Sequence, residues 1–434
     1  MKNLKKIGLV SVFVAAASIT AYNYSGETIE DPVVKNPTFL FLSDIHLDSF
    51  TDTTDYEDDT GMILWNAFLT KADAVIKKND PDFIIYTGDL PSHIACCFAI
   101  PESARIAHNK NMETILSGLR DLATKHKKTF LYLPGNNDGI AGDYASYADE
   151  KDSIPTDLVP EKNNPYPALN INKTGTIAPV MVSNPAPKLG YYSARPIEGL
   201  RVISLNTVIH SANYFNADGG SQYADAKQQM TWLANQLKEA KSIGEKAYIA
   251  MHIPPGINAY GYKNNGLNAT NWKKLPAPND WNNQFLSIVA QYSATITGIL
   301  YGHTHMDELR RLYDASGKNI TEIAISCPGV TPIHDNNPGF KLVSYDATSK
   351  ELMDFTTYYT IPSSSVWGDA SYSFNTNFGY DNNKTMYENL VADSLDSISK
   401  KMDVIFWVDR VIPKDLEAKI KYDITPGIEV KMEQ

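Results

Sequence analysis

The chain has 434 residues, 43% of them hydrophobic and 21% charged, with a formal net charge of −11 at pH 7. Such a composition can fill one large core or two ordinary ones and excludes disorder as the default state. The acidic excess argues against general nucleic-acid binding, which needs a basic surface to release counterions from phosphates, so an anionic substrate has to be attracted locally.

Residues 1–21 read as a removable secretory signal: Lys2, Lys5 and Lys6 precede an apolar stretch that ends in Ile19-Thr20-Ala21 and is too short for a comfortable membrane span. A secreted or periplasmic protein without a transmembrane helix in its mature form is therefore expected. Residues 22–37 are a polar, turn-rich leader. Cys96, Cys97 and Cys327 allow at most one internal disulfide, and buried thiols are an equal reading.

After the leader, Phe39-Leu40-Phe41-Leu42 predicts a buried strand that stops at Ser43-Asp44-Ile45-His46. Leu64, Phe68, Ala72 and Val75 are spaced for a helix, residues 82–87 for a strand closed by Gly88-Asp89, and Met112, Ile115, Leu119 and Leu122 for a second helix. A third strand at 129–133 is closed by Pro134-Gly135-Asn136-Asn137-Asp138. Strand and helix in alternation is the signature of parallel crossover units.

Residues 139–188 lack periodicity and read as a long insertion that shapes a binding rim. An antiparallel pair at 191–194 and 201–205 follows, then an amphipathic helix through Ala226, Met230, Leu233, Leu237 and Ala240. The strand at 247–251 ends at His252-Ile253-Pro254-Pro255-Gly256, and the strand at 295–301 ends at Gly302-His303-Thr304-His305. Short strands near 309–313, 322–326, 340–345 and 353–359 predict a second, largely antiparallel sheet. Helical spacing returns between Met386 and Val411.

Five strand ends thus close on donor side chains: Asp44, His46, Asp89, Asn136, His252, His303 and His305. Oxygen and imidazole without thiolate suit Zn, Mn or Fe. Seven ligands are too many for one ion and suit two. With Asp89 as a bridge, each ion would have four protein ligands, and two cations about 3.5–4 Å apart could activate a shared water and clamp a phosphoryl group.

The ordered set Asp-x-His, Gly-Asp, Gly-Asn-x-Asp, His, Gly-His-x-His resembles the calcineurin-like metallophosphoesterase superfamily. Within it, Gly88-Asp89-Leu90-Pro91-Ser92-His93, Gln229-Met230-Thr231-Trp232-Leu233, His303-Thr304-His305-Met306-Asp307-Glu308 and Asn337-Pro338-Gly339-Phe340 are similar to the acid sphingomyelinase-like phosphodiesterases. The resemblance implies an α/β/β/α sandwich of two sheets over residues 38–360, with a C-terminal helical extension over 361–434. It also implies two divalent ions, zinc favoured, that hydrolyse a phosphodiester of sphingomyelin-like or nucleotide type. One ion would be held by Asp44, His46, Asp89 and His305, the other by Asp89, Asn136, His252 and His303.

Two departures stand out. The short leader has no room for the saposin-like lipid-engaging domain of sphingomyelinase, which shifts the expectation toward soluble phosphoesters. Asn137 occupies the position where the superfamily usually has histidine, and an amide cannot supply a proton near neutral pH. His93, which matches the Gly-Asp-x-Pro-x-His motif, is then the expected proton donor to the leaving group, with Asn137 hydrogen-bonding a phosphoryl oxygen. Asn136-Asn137-Asp138 also resembles endopolyphosphatases, which makes phosphoanhydride cleavage the alternative; a non-catalytic exported binding module would be expected to have lost ligands. His334 reads as a loop residue without a role, and His108, His126 and His210 carry no assignment.

Overall fold

The computed structural model describes residues 36–93, 102–159, 180–217, 219–259, 265–413 and 424–433. The expected signal, nearly all of the leader, Cys96 and Cys97 lie outside the described residues. Cys327 is a buried thiol whose Sγ lies 3.1 Å from the Phe41 carbonyl oxygen.

In chain order come β1 (Thr38–Leu42), α1 (Met62–Asn79), β2 (Phe83–Tyr86), α2 (Glu102–His126) and β3 (Thr129–Tyr132). The three strands are parallel, as their helical crossovers require. Next are β4 (Met181–Ala186), β5 (Tyr191–Ile197), β6 (Leu200–Ser204), α3 (Gln222–Ser242), β7 (Lys246–Ala250), α4 (Trp281–Gln291) and β8 (Ile296–Tyr301). Strands β6, β7 and β8 are again parallel. The remainder comprises β9 (Leu309–Tyr313), β10 (Ile320–Ser326), β11 (Gly339–Tyr345), β12 (Leu352–Tyr359), β13 (Ser371–Ser373), α5 (Phe374–Phe378), α6 (Met386–Ala392), α7 (Leu395–Ile405), α8 (Thr425–Ile428) and β14 (Glu429–Val430).

Two mixed sheets result, ordered β13-β12-β11-β1-β2-β3 and β14-β9-β10-β8-β7-β6-β5-β4. This is the expected two-sheet α/β class with helices at the C-terminus, but the four late strands do not build a sheet of their own. Strands β9 and β10 extend the sheet of β8, and β10 pairs with β8 in parallel. Strands β11 and β12 return to the first sheet, where β11 runs antiparallel to β1. Alternation in a sequence gives a strand its faces, not its neighbours. Residues beyond 360 also supply an edge strand to each sheet, β13 beside β12 and β14 beside β9.

Period-two alternation sorts the core. In β7, Ala247 and Ile249, with Met251 just after it, face the cluster formed with α3 and α4, whereas Tyr248 and Ala250 join the core shared with the other sheet. The Phe39 ring lies 5.7 Å from that of Tyr248, one contact between the sheets. Helix α3 buries the predicted stripe and is capped by Ser221, whose side chain accepts from the Ala224 N–H. Among the described residues no helix is long and apolar enough to cross a membrane.

Candidate metal centre

The carboxyl ends of β1, β2 and β3 in one sheet and of β7 and β8 in the other deliver all seven donors to one buried locus. Hydrogen bonds continue past the strand ends: Asp44 N donates to Gly88 O at 3.0 Å, Ile45 N to Asp89 O at 3.0 Å, and Thr331 N to Asp44 O at 3.1 Å. The turns are tight. Asp44, His46, Asp89, His303 and His305 all have φ between 46° and 74°. For residues other than glycine this left-handed region costs about 1–3 kcal/mol each, so the surrounding packing must hold these turns in place. Gly302 is needed for closeness, because a Cβ there would lie 2.1 Å from Ser43 Oγ and 2.8 Å from Asp44 Oδ2.

The ligand-type atoms of Asp44, His46, Asp89 and His305 lie within 4.8 Å of one another, as do those of Asp89, His252 and His303. Asp89 belongs to both groups. Its Oδ2 is 3.3 Å from His46 Nε2 and 3.2 Å from His252 Nε2, while His305 Nε2 is 3.4 Å from Asp44 Oδ1. Asn136 joins the second group, its Oδ1 being 3.0 Å from His252 Nε2.

Backbone carbonyls fix two of the rings. His46 Nδ1 lies 3.0 Å from Pro91 O and His252 Nδ1 lies 2.7 Å from Thr87 O, so each ring turns its Nε2 inward. Asn137, expected to meet a phosphoryl oxygen, is committed instead to Asp89: its backbone N–H donates to Oδ1 at 2.7 Å and its Nδ2 to Oδ2 at 3.0 Å.

His93 is part-exposed. Its ring stacks on His46 with centroids 4.0 Å apart and planes 9° apart, and Asp59 Oδ1 lies 2.8 Å from its Nδ1. His93 also shares donor reach with His46 and His305.

Charge at the locus is unbalanced. Burial pushes the Asp44 carboxyl up to about 7, and the neighbouring Asp89 charge adds to that. Burial also disfavours ionised Asp89, but the His252 and His46 imidazoles outweigh it and hold that carboxyl well below the usual range. His252 follows the same logic in reverse: burial pulls it down, Asp89 overcomes this, and the ring is raised to about 9. Burial takes His303 down to about 3. Among the described residues, His46 Nε2, His305 Nδ1 and Asn137 Oδ1 are buried without a hydrogen-bond partner. Oxygen and imidazole donors converging with orphaned lone pairs fit a divalent cation.

Sequence reading missed several supports. Asp138 accepts from the backbone N–H groups of Asp89, Leu90 and Gly135 at 2.6–3.1 Å and so fastens the β2 and β3 turns together. Asp143 Oδ1 accepts from Asn136 Nδ2 at 2.8 Å. Asp59 comes from a loop 34 residues before His93, a distance that no local motif encodes. His334, read as idle, has its ring 4.6 Å from that of His305. His108, His126 and His210 lie outside the metal groups: His108 Nε2 meets Gly139 O, His126 pairs with Asp73, and His210 sits between Trp272 and Trp281.

Two sheets that deliver acidic and imidazole side chains to a common edge form a site suited to holding metal ions. The sequence profile of the family Calcineurin-like phosphoesterase matches residues 37–307, and the chain belongs to that family.

Its relatives include sphingomyelinase phosphodiesterase D of Dictyostelium discoideum, 28% identical over 309 residues that cover 70% of this chain and 61% of that protein. Sphingomyelin phosphodiesterase 1 of Caenorhabditis elegans is 26% identical over 75% of this chain and 53% of its own length. The cyclic GMP-AMP phosphodiesterase SMPDL3A of Homo sapiens is 27% identical over 64% of this chain and 56% of its own. The chain therefore spans 53–61% of the length of these three relatives.

Proposed function

We propose that the chain is an exported phosphodiesterase that hydrolyses a sphingomyelin-like or nucleotide diester at a pair of divalent ions, zinc being favoured. The observation that carries this reading is Asp89 Oδ2, which faces His46 Nε2 and His252 Nε2 at nearly equal distances and so serves two donor sets at once. Asp44, His46, Asp89 and His305 would hold one ion, and Asp89, Asn136, His252 and His303 the other. The catalytic domain is residues 38–360, and 361–434 is an extension to it.

When bound, such ions supply Lewis acidity, making water a nucleophile near neutral pH and neutralising phosphoryl charge. The chain does the positioning. Pro91 O and Thr87 O orient two imidazoles, and Asn137 steadies Asp89 with two N–H donors. Asp59 accepts the Nδ1 proton of His93, which leaves Nε2 to carry a second proton to a departing alkoxide. That donor favours diesters of ordinary alcohols over phosphoanhydrides, whose leaving groups are acidic enough to depart without help.

The test is a panel on metal-replete protein: sphingomyelin, nucleoside triphosphates, cyclic nucleotides, polyphosphate and a chromogenic diester, with metal analysis alongside. Two equivalents of metal and turnover of a diester support the proposal. Protein that takes up no metal when supplied with it, or metal-replete protein that turns over none of the panel, overturns it.

A further inference from the structure

Far from the metal ligands, at the amino-terminal ends of β8 and β10, a cavity of about 370 Å³ opens between strand edges and α6. Strand β8 separates it from His303 by its own length, roughly 20 Å for six residues. Ile296, Thr297, Glu322, Glu351, Leu352 and Tyr387 are among its lining residues.

Glu322 is the anomaly. It sits within β10 with 4% of its surface exposed, and its one hydrogen bond among the described residues is from the Ile323 N–H to Oε1 at 2.8 Å. Among the described residues the neighbouring charge acting on it is another carboxylate, Glu351, and burial pushes Glu322 up to about 8. A second observation points the same way: Thr297 Oγ1, on the same wall, is buried without a hydrogen-bond partner among the described residues. Buried acceptors are ordinarily satisfied, and a carboxylate enclosed by hydrocarbon is costly until a cation joins it. The Tyr387 hydroxyl is already given to Ile320 O at 2.7 Å, so it does not answer Thr297 Oγ1.

We propose that this cavity binds a primary alkylammonium group, its N–H donors held by Glu322, Glu351 and Thr297 and its carbon stem resting on Ile296 and Leu352. An ammonium offers three donors and tolerates an apolar wall. A hydrated divalent ion wants six or more oxygens, and the isoleucine and leucine side chains deny them. Because Glu322 must give up a proton to pair with the cation, affinity rises with pH up to about 8.

The probe is n-butylammonium chloride titrated into the full chain, with thermal unfolding as the readout and equal sodium or magnesium chloride as controls. A saturable stabilisation by butylammonium alone is expected. Glu322→Gln should weaken it about tenfold or more, the scale of losing one hydrogen bond to a charged group, with Glu351→Gln weaker in effect and phosphodiester hydrolysis unchanged in both. No shift beyond the sodium control, an equal shift in Glu322→Gln, or a response to magnesium alone overturns the proposal. If Glu322→Gln fails to fold, the wild-type protein decides: affinity must climb severalfold between pH 6 and pH 8.

Discussion

Two buried polar clusters lie within a few residues of each other in sequence, and they are built on opposite rules. Asp307, two residues after His305, accepts from Thr357 Oγ1 at 2.9 Å and Tyr372 OH at 2.6 Å and pairs with Lys341 Nζ at 2.5 Å. The Lys341 ammonium spends its remaining donors on Thr357 Oγ1 at 3.2 Å and the face of Phe355, 3.4 Å from the ring centroid. Every charge there is answered by the chain itself. At the candidate metal centre, by contrast, two carboxylates and four inner imidazoles crowd together, and His46 Nε2 and His305 Nδ1 have no hydrogen-bond partner among the described residues. A cluster closed on itself rigidifies the joint between sheets, and one left open is arranged for something that is not protein.

The comparison breaks most sharply at Asp89. Asp89→Asn keeps the shape and removes the shared charge, so turnover should fall at least about 10³-fold, the scale of losing a central electrostatic contact in the transition state. Bound metal, measured by mass spectrometry, should fall with it, while the urea midpoint holds or rises. Unchanged metal content and activity would return Asp89 to a merely structural role.

Lys341→Met is the complementary break. It strands a buried carboxylate, and about 3–5 kcal/mol of stability should be lost in urea unfolding. The folded fraction should keep its metal content. Pairing it with Asp307→Leu should recover much of the loss, because no charge is then left without a partner. If the single variant lost metal and no stability, the two clusters would not be distinct in kind.

His93 tests the rim of the open cluster. His93→Ala should slow esters of ordinary alcohols about 10²-fold yet leave nitrophenyl esters almost untouched, since a good leaving group needs no proton. Asp59→Asn should reproduce the same selectivity more weakly, about 10-fold. Equal losses on both ester classes would remove the proton-donor role.

The convergence of these side chains was legible because parallel strands gather chemistry at their carboxyl ends, and each strand ended within a few residues of Asp, Asn or His. The turns were not legible: nothing in Asp44-Ile45-His46 announces a left-handed backbone at both ends. Long-range supports were hidden for a related reason. Asp59 and His93 meet across the ends of neighbouring β1 and β2, and His305 and His334 across the ends of neighbouring β8 and β10, pairings that no strand's own alternation reveals. Edges of two or three residues, such as β13 and β14, are too short for any periodicity to register.

The gentlest test lies where a titratable group is buried with no cluster at all. His210 is fully buried, its two ring nitrogens lack hydrogen-bond partners among the described residues, and the faces around it are Trp272 and Trp281, with centroids at 4.8 and 5.2 Å. Burial alone takes it down to about 3, from 6.5 in an unfolded chain. The unfolded state then binds more protons between those values, so the contribution of His210 to stability is intact above pH 6.5 and is lost as pH falls toward 3. At about pH 4.5 the penalty is about 2–3 kcal/mol. His210→Phe, which keeps an aromatic ring between the two indoles, should remove that part of the acid sensitivity and leave stability at pH 8 nearly unchanged. Urea midpoints across the pH range read the difference directly, and parallel wild-type and variant curves would mean that water or a shifted ring meets the imidazole's needs.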